Sequence, residues 1–244
     1  MRKQSKLVVT TAKTLLFIVA LIGLVLSSRN GLASLEFYSV NNMLEQWQED
    51  ESKAEKQLNE ALLNTLKANS LHPSHPMYID ILGQLNEWTA LSVHSGDEQL
   101  NDKNEQLEKA KTFYRSAILQ RPTWPVTHAS LLIVKWRMAE FDEEMVSAIS
   151  NAIKFGPKKP EVHLALIQFG LASYQSNHPF YAHVRAVLPE YIELGMRNKL
   201  IKAQVLSTIQ RYDAKRTSCR WLSKLANTDR FPRMVSLREL NCEA

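Results

Sequence analysis

Paired histidines, paired carboxylates, two cysteines, and tryptophans beside arginine or glutamate have the types and spacing to do chemistry in this chain. His72 and His75 bracket a proline, and His178 and His183 flank the start of an expected helix. Imidazoles at such spacing can ligate a metal, but a metal needs further ligands that neither neighbourhood supplies. They read as loop or cap histidines, and no metal is expected. Glu143 with Glu144, and Asp97 with Glu98, could do acid–base work only where burial or a charged neighbour shifts a pKa. No apolar or aromatic pocket adjoins either pair in sequence, so no shift is expected. G-x-S-x-G, P-loop, H-E-x-x-H and dinucleotide glycine signatures are missing. Neither an enzyme nor a cofactor is expected, and a sugar-active site built from scattered carboxylates is the open alternative.

Cys219 and Cys242 lie near the C-terminus. In an oxidising compartment they can bridge, closing a loop of about two dozen residues worth on the order of 3 kcal/mol in the chain-entropy model. Two buried or idle thiols are the alternative.

The elements that must position these residues begin with an anchor. Leu7 to Ser28 is apolar apart from Lys13 and three threonines, and about 33 Å of helix spans a bilayer core. Arg2, Lys3 and Lys6 precede it and only Arg29 follows closely, which keeps the N-terminus cytoplasmic. A cleaved signal peptide ending at Gly31-Leu32-Ala33 is the competing reading. Either way residues 35–244 leave the cytoplasm. The formal charge of +5 resides in this flank: residues 1–34 hold five basic side chains and no acid, leaving 25 of each sign. A nucleic-acid footprint needs a clustered cationic surface, so no nucleic-acid partner is expected. Residues 35–110 hold 14 acidic and five basic side chains, and residues 185–244 hold 12 basic and six acidic. Those are either solvated helix faces or two charged ends that steer different partners.

Apolar residues at three- and four-residue spacing predict helices at about 35–48, 51–70, 77–94, 103–120, 125–140, 142–155, 160–176, 180–196 and 199–226. Prolines 73, 76, 122, 125, 157, 160 and 179 separate them, and residues 95–104 read as a longer loop. The breaks repeat. In a tetratricopeptide repeat the second helix carries a small residue, an aromatic four later, a small residue three after that and a proline five further on. Ala110, Tyr114, Ala117 and Pro122 fit all four places; Ala61, Ala68 and Pro73 fit three, with Thr65 in the aromatic place; Ala152 and Pro157 fit two. Pro122 and Pro157 are 35 residues apart. The fold expected is therefore all-α: an N-terminal transmembrane helix followed by a tetratricopeptide-like superhelix of helical hairpins. Residues 1–34 form flank and anchor, 35–198 the helical domain, and 199–244 capping helices and tail. A generic helical bundle is the alternative.

Such a superhelix offers the inner face of its first helices. Starting each unit three residues past its proline turns Gln84, Glu87 and Trp88, then Trp136 and Arg137, then Gln168 inward. An indole beside a guanidinium suits an extended peptide or a sugar ring; the alternative is tryptophans that cover the core.

The segment Tyr114-Arg115-Ser116-Ala117-Ile118, the turn Arg121-Pro122-Thr123-Trp124-Pro125, and Asn151-Ala152-Ile153 with Gly156-Pro157 resemble, behind a membrane anchor, the VpsP-type family of exopolysaccharide biosynthesis proteins. The resemblance implies a bacterial inner-membrane protein whose periplasmic helical domain assists synthesis or export of a surface polysaccharide. Its partners would be envelope polysaccharide assembly proteins, with the bilayer held through residues 7–28. His128 and His163 stand where the repeat usually has tryptophan. An assembly factor for a pilus, secretion or cytochrome system, and a glycan binder, are the other readings.

Overall fold

No proline interrupts residues 2–49, and they form one helix, α1 (Arg2–Glu49), about 72 Å long. The structure, a computed structural model, describes residues 2–50, 52–73, 75–92, 97–225 and 236–242, and their side chains outside 2–10, 48–49 and 97–101. From Thr11, α1 contains a stretch long and apolar enough to cross a membrane, and none of that stretch is buried in the protein. Farther along the same helix, Ala33, Val40, Leu44 and Trp47 are buried. The expected anchor and the expected helix at 35–48 are therefore one rod, because Gly31 alone weakens the helix between them.

Helix α2 (Ser52–Leu71) buries Ala54, Leu58, Ala61, Thr65 and Ala68, a stripe of alternating four- and three-residue steps, against α1. Trp47 Nε1 donates to Gln57 Oε1 at 2.8 Å, and Arg29 Nη2 donates to the last carbonyl of α2, Leu71 O, at 3.0 Å. Seven further α-helices follow in neighbouring pairs, α3 (Pro76–Ser92) on α4 (Asp97–Gln120), α5 (Pro125–Arg137) on α6 (Glu143–Phe155) and α7 (Pro160–Gln175) on α8 (Leu188–Arg197), with α9 (Lys202–Arg211) against α7 and α8. Helix α10 (Lys215–Lys224) closes the end, and Cys219 and Cys242 are bonded there with Cα atoms 5.7 Å apart. No strand occurs among the described residues.

Local chemistry sets these boundaries. Pro125 and Pro160 open α5 and α7, where a missing amide proton costs nothing. His128 Nε2 then meets Pro122 O at 2.8 Å, and 35 residues on His163 Nε2 meets Pro157 O at 2.9 Å, so the same turn occurs twice. The ends of α5, α7 and α9 also match one another. Ala139, Asn177 and Asp213 are left-handed, and the amides of Glu140, His178 and Ala214 reach back to the carbonyls of Lys135, Ser173 and Ile209. This turn ends α5 at Arg137 rather than 140 and splits the expected helix 199–226, whose last residue lies outside the described residues. The expected helix 180–196 is divided as well. Pro179–His183 forms a 3₁₀ turn, and α8 starts only at Leu188 because Pro189 cannot donate the amide that a continuous helix requires. Helix α4 begins at Asp97, inside the expected 95–104 loop, whose first two residues lie outside the described residues. Residues 93 and 94, the end of the expected helix 77–94, and residue 51 also lie outside.

One core runs from α3 to the C-terminal segment, and a second joins α1, α2 and α3 around Trp47, Leu58 and Leu85. Each large apolar side chain so covered contributes about 1.5–3 kcal/mol. Between α3 and α4 the packing is tight: a Cβ on Gly83 would lie 2.5 Å from the buried Tyr114 ring.

Candidate functional site

The first helices of successive pairs touch, α3 on α5, α5 on α7 and α7 on α9, so one side chain face recurs along the row. Three of the hollows among the described residues open on it. A cleft of about 670 Å³ is walled by Glu55 of α2, Trp88 of α3, Arg137 of α5, Gln168 of α7, and Gln204, Thr208 and Arg211 of α9. A hollow of about 120 Å³ lies over Glu87, Ala129 and Ile133. One of about 150 Å³ lies over Asp80, Gln84, Arg121 and Trp124.

The structure thus brings Trp88, Arg137 and Gln168 together in the largest of the three, and puts Glu87 and Gln84 in the smaller ones. Trp136 is elsewhere. Its indole packs edge-on against Phe169, with centroids 5.8 Å apart, and covers the core. Neighbouring residues on a helix point about 100° apart, so Arg137 can reach the cleft while Trp136 does not.

Glu87 is spent on structure. Tyr114 Oη donates to Glu87 Oε1, and Arg137 Nη1 donates to Oε2, each at 2.5 Å. Burial pushes the Glu87 carboxyl above its usual range, and Arg137 and Tyr114 oppose the shift. This chain of contacts links α4 through α3 to α5 and fixes the guanidinium that edges the cleft. Asp80 is likewise raised by burial, while Thr127 Oγ1 at 2.6 Å and Gln84 Nε2 at 3.1 Å donate to it.

One member of the acidic pairs, Glu144, needs correction. Glu144 is not an unperturbed loop carboxylate: Arg115 grips it in a fork at 2.7 Å and Lys135 Nζ reaches it at 2.7 Å. Those partners hold its carboxyl down to about 2 against the cost of burial. Lys135 is fully buried, and its amine also meets Glu140 at 3.0 Å and Asp142 at 2.9 Å. Burial opposes that charge, but the three carboxylates outweigh it and keep the amine above its usual range. The network braces the turn between α5 and α6. Glu143 is exposed, and the side chains of Asp97 and Glu98 lie outside the described residues.

His75 stacks on Tyr78 at 4.2 Å between centroids, and burial lowers its pKa. His178 accepts from the Phe180 amide at 3.3 Å and lies against Phe141. Among the described residues, no group of three or more His, Cys, Asp or Glu side chains could hold a metal ion.

Sequence reading missed Gln204, Ser207, Thr208 and Arg211, the α9 wall of the cleft. Residues 198–201, the approach to α9, contain no proline, so the proline register that placed α3, α5 and α7 had nothing to extend it. What the cleft offers is two guanidiniums, two amides, hydroxyls and an indole facing one carboxylate. Compared with models of known protein families and with curated protein sequences, the chain matches neither.

Proposed function

We propose that this protein is a membrane-anchored, tetratricopeptide-like scaffold whose cleft receives an extended segment of a protein partner. The observation that carries the reading is the row α3–α5–α7–α9, which presents Trp88, Arg137, Gln168 and Arg211 to one cleft of about 670 Å³. Recurrence supports it. The His128 and His163 turns, and the left-handed ends of α5, α7 and α9, are what stacked helical pairs of one kind would produce. The unburied apolar stretch of α1 supports the anchor, with the basic residues before it keeping the N-terminus in the cytoplasm and the helical domain periplasmic.

The partner proposed is an envelope protein of exopolysaccharide assembly, on the resemblance to the VpsP-type family. Crosslinking the full-length protein in its native membranes, followed by mass spectrometry, tests this. A polysaccharide polymerase, chain-length regulator or export protein among the adducts supports the role. Pilus, secretion or haem-assembly components would retain the scaffold and remove the polysaccharide.

A second reading, direct glycan binding, rests on the exposed part of Trp88 beside Arg137 and the two amides of the cleft. It predicts glycan affinity that Gln168→Ala or Arg211→Ala lowers, and its absence in the parent protein removes the reading.

A further inference from the structure

The two ends of the helical pairs differ in charge. Loops that join the second helix of one pair to the first of the next, residues 72–75, 121–124, 156–159 and 198–201, carry Arg121, Lys158, Lys159 and Lys199 and no carboxylate. None of these four cations enters an ion pair among the described residues. The described loops at the opposite end carry Asp50, Glu140, Asp142 and Asp213 against Arg185 alone. The basic end also holds the two most exposed large apolar side chains among the described residues, Leu119 at 84% and Leu200 at 81%. Trp124 is there too, with Arg121 3.7 Å from its ring centroid and the Lys159 amine 4.8 Å away.

That end is the one nearest the membrane exit. Arg29, which follows the apolar segment directly, holds Leu71 O at the first of these loops. Phe37, eight residues or about 12 Å farther along α1, lines the same hollow as Pro76, Arg121 and Trp124. Because α1 runs unbroken from the apolar stretch into the domain core, these loops hold a fixed relation to the bilayer. Exposed leucines, an indole and unpaired cations are the chemistry of an interface with acidic lipid.

We propose that this basic, leucine-tipped end lies on the acidic head groups of the membrane that α1 crosses, with the acidic end facing away. The proposal rests on the reading of residues 7–28 as an anchor. Head-group contact fixes the tilt of the domain and leaves its cleft, walled by the start of α2 and the far ends of α3, α5 and α9, on the side turned away from the bilayer.

The test uses the full chain in phosphatidylcholine vesicles with or without phosphatidylglycerol, doped with a lipid that carries a nitroxide on its head group. Trp124 emission is read as the difference between the chain and Trp124→Phe, with helicity checked by circular dichroism. Leu119→Cys bearing an environment-sensitive dye reads the same contact with the indole intact. Nitroxide quenching of Trp124 and a blue-shifted dye are expected in acidic vesicles. Lys158→Gln/Lys159→Gln should cut the adsorbed population about fivefold per charge removed, and high salt should do likewise. Unquenched Trp124 and an unshifted dye, in a chain that resists alkaline extraction, overturn this inference and leave the anchor standing. Release of the chain by alkali overturns both.

Discussion

Gly83→Ala places one methyl group where α3 packs directly against α4. Its Cβ would sit 2.5, 2.8 and 2.9 Å from three atoms of the Tyr114 ring. The ring is fully buried and its hydroxyl is tied to Glu87, so it cannot swing aside without breaking that bond. Overpacking costs about 1–3 kcal/mol, and loss of a hydrogen bond to a charged group about 1.5–3 kcal/mol. Alanine returns about 1 kcal/mol of helix preference. The net loss expected is about 1.5–5 kcal/mol, which lowers Tm by roughly 3–20 °C for a domain of this size. Thermal unfolding followed by circular dichroism at 222 nm measures it. A second consequence lies at the cleft, since Glu87 would lose the Tyr114 bond that steadies it under Arg137, and partner crosslinking should fall with stability. Pairing Gly83→Ala with Tyr114→Leu should cost less than the sum of the two single changes. A Tm within about 2 °C of the parent, or strict additivity, would refute the Gly83–Tyr114 contact as described.

Other consequences are independent of that contact. Ala139→Gly relieves a left-handed alanine at φ 56 and should stabilise the chain by about 1 kcal/mol, seen as a higher urea midpoint. Glu144, held at about 2, contributes stability present above the ordinary carboxylate range and lost as pH falls toward that value. Glu87 and Asp80, raised by burial, act with the opposite sign, favouring the fold as they protonate. Against the cost of burial, Lys111 and Lys135 also hold Glu140 down and Lys135 holds Asp142 down, so urea midpoints measured from pH 6 to pH 2 should decline, and Glu144→Gln should flatten the decline at the cost of a lower midpoint at pH 6. Reducing the Cys219–Cys242 bond reopens a loop with a separation of 23 residues, and should loosen α10 by about 3 kcal/mol, with faster amide exchange there and none in α4.

What could be read from the sequence followed from residues that act locally. Prolines mark the helix starts because a missing amide has the same effect in any fold, and Ala110, Tyr114 and Ala117 were identifiable as inward because their spacing alone puts them on one face. His128 and His163 looked like departures from a repeat, yet each ring meets the carbonyl of a proline six residues back, a role visible only once the turn exists. Ala139 carries no signal for a left-handed turn, whereas Asn177 and Asp213 at the corresponding places do. Trp136 follows the core-covering alternative and Glu144 was misjudged for one reason: their partners Phe169, Arg115 and Lys135 are distant in sequence and arrive through packing. The α9 wall of the cleft went unread because no proline announces it.

The account turns on the cleft as the place where a partner docks. A photocrosslinking amino acid introduced at Gln168, in the cleft, and separately at Ser150, exposed on α6, compares the two faces in native membranes. The account predicts a discrete adduct from position 168 that mass spectrometry identifies as a polysaccharide polymerase, chain-length regulator or export protein, and none from position 150. Adducts of equal yield from both positions, or none from position 168, would contradict it.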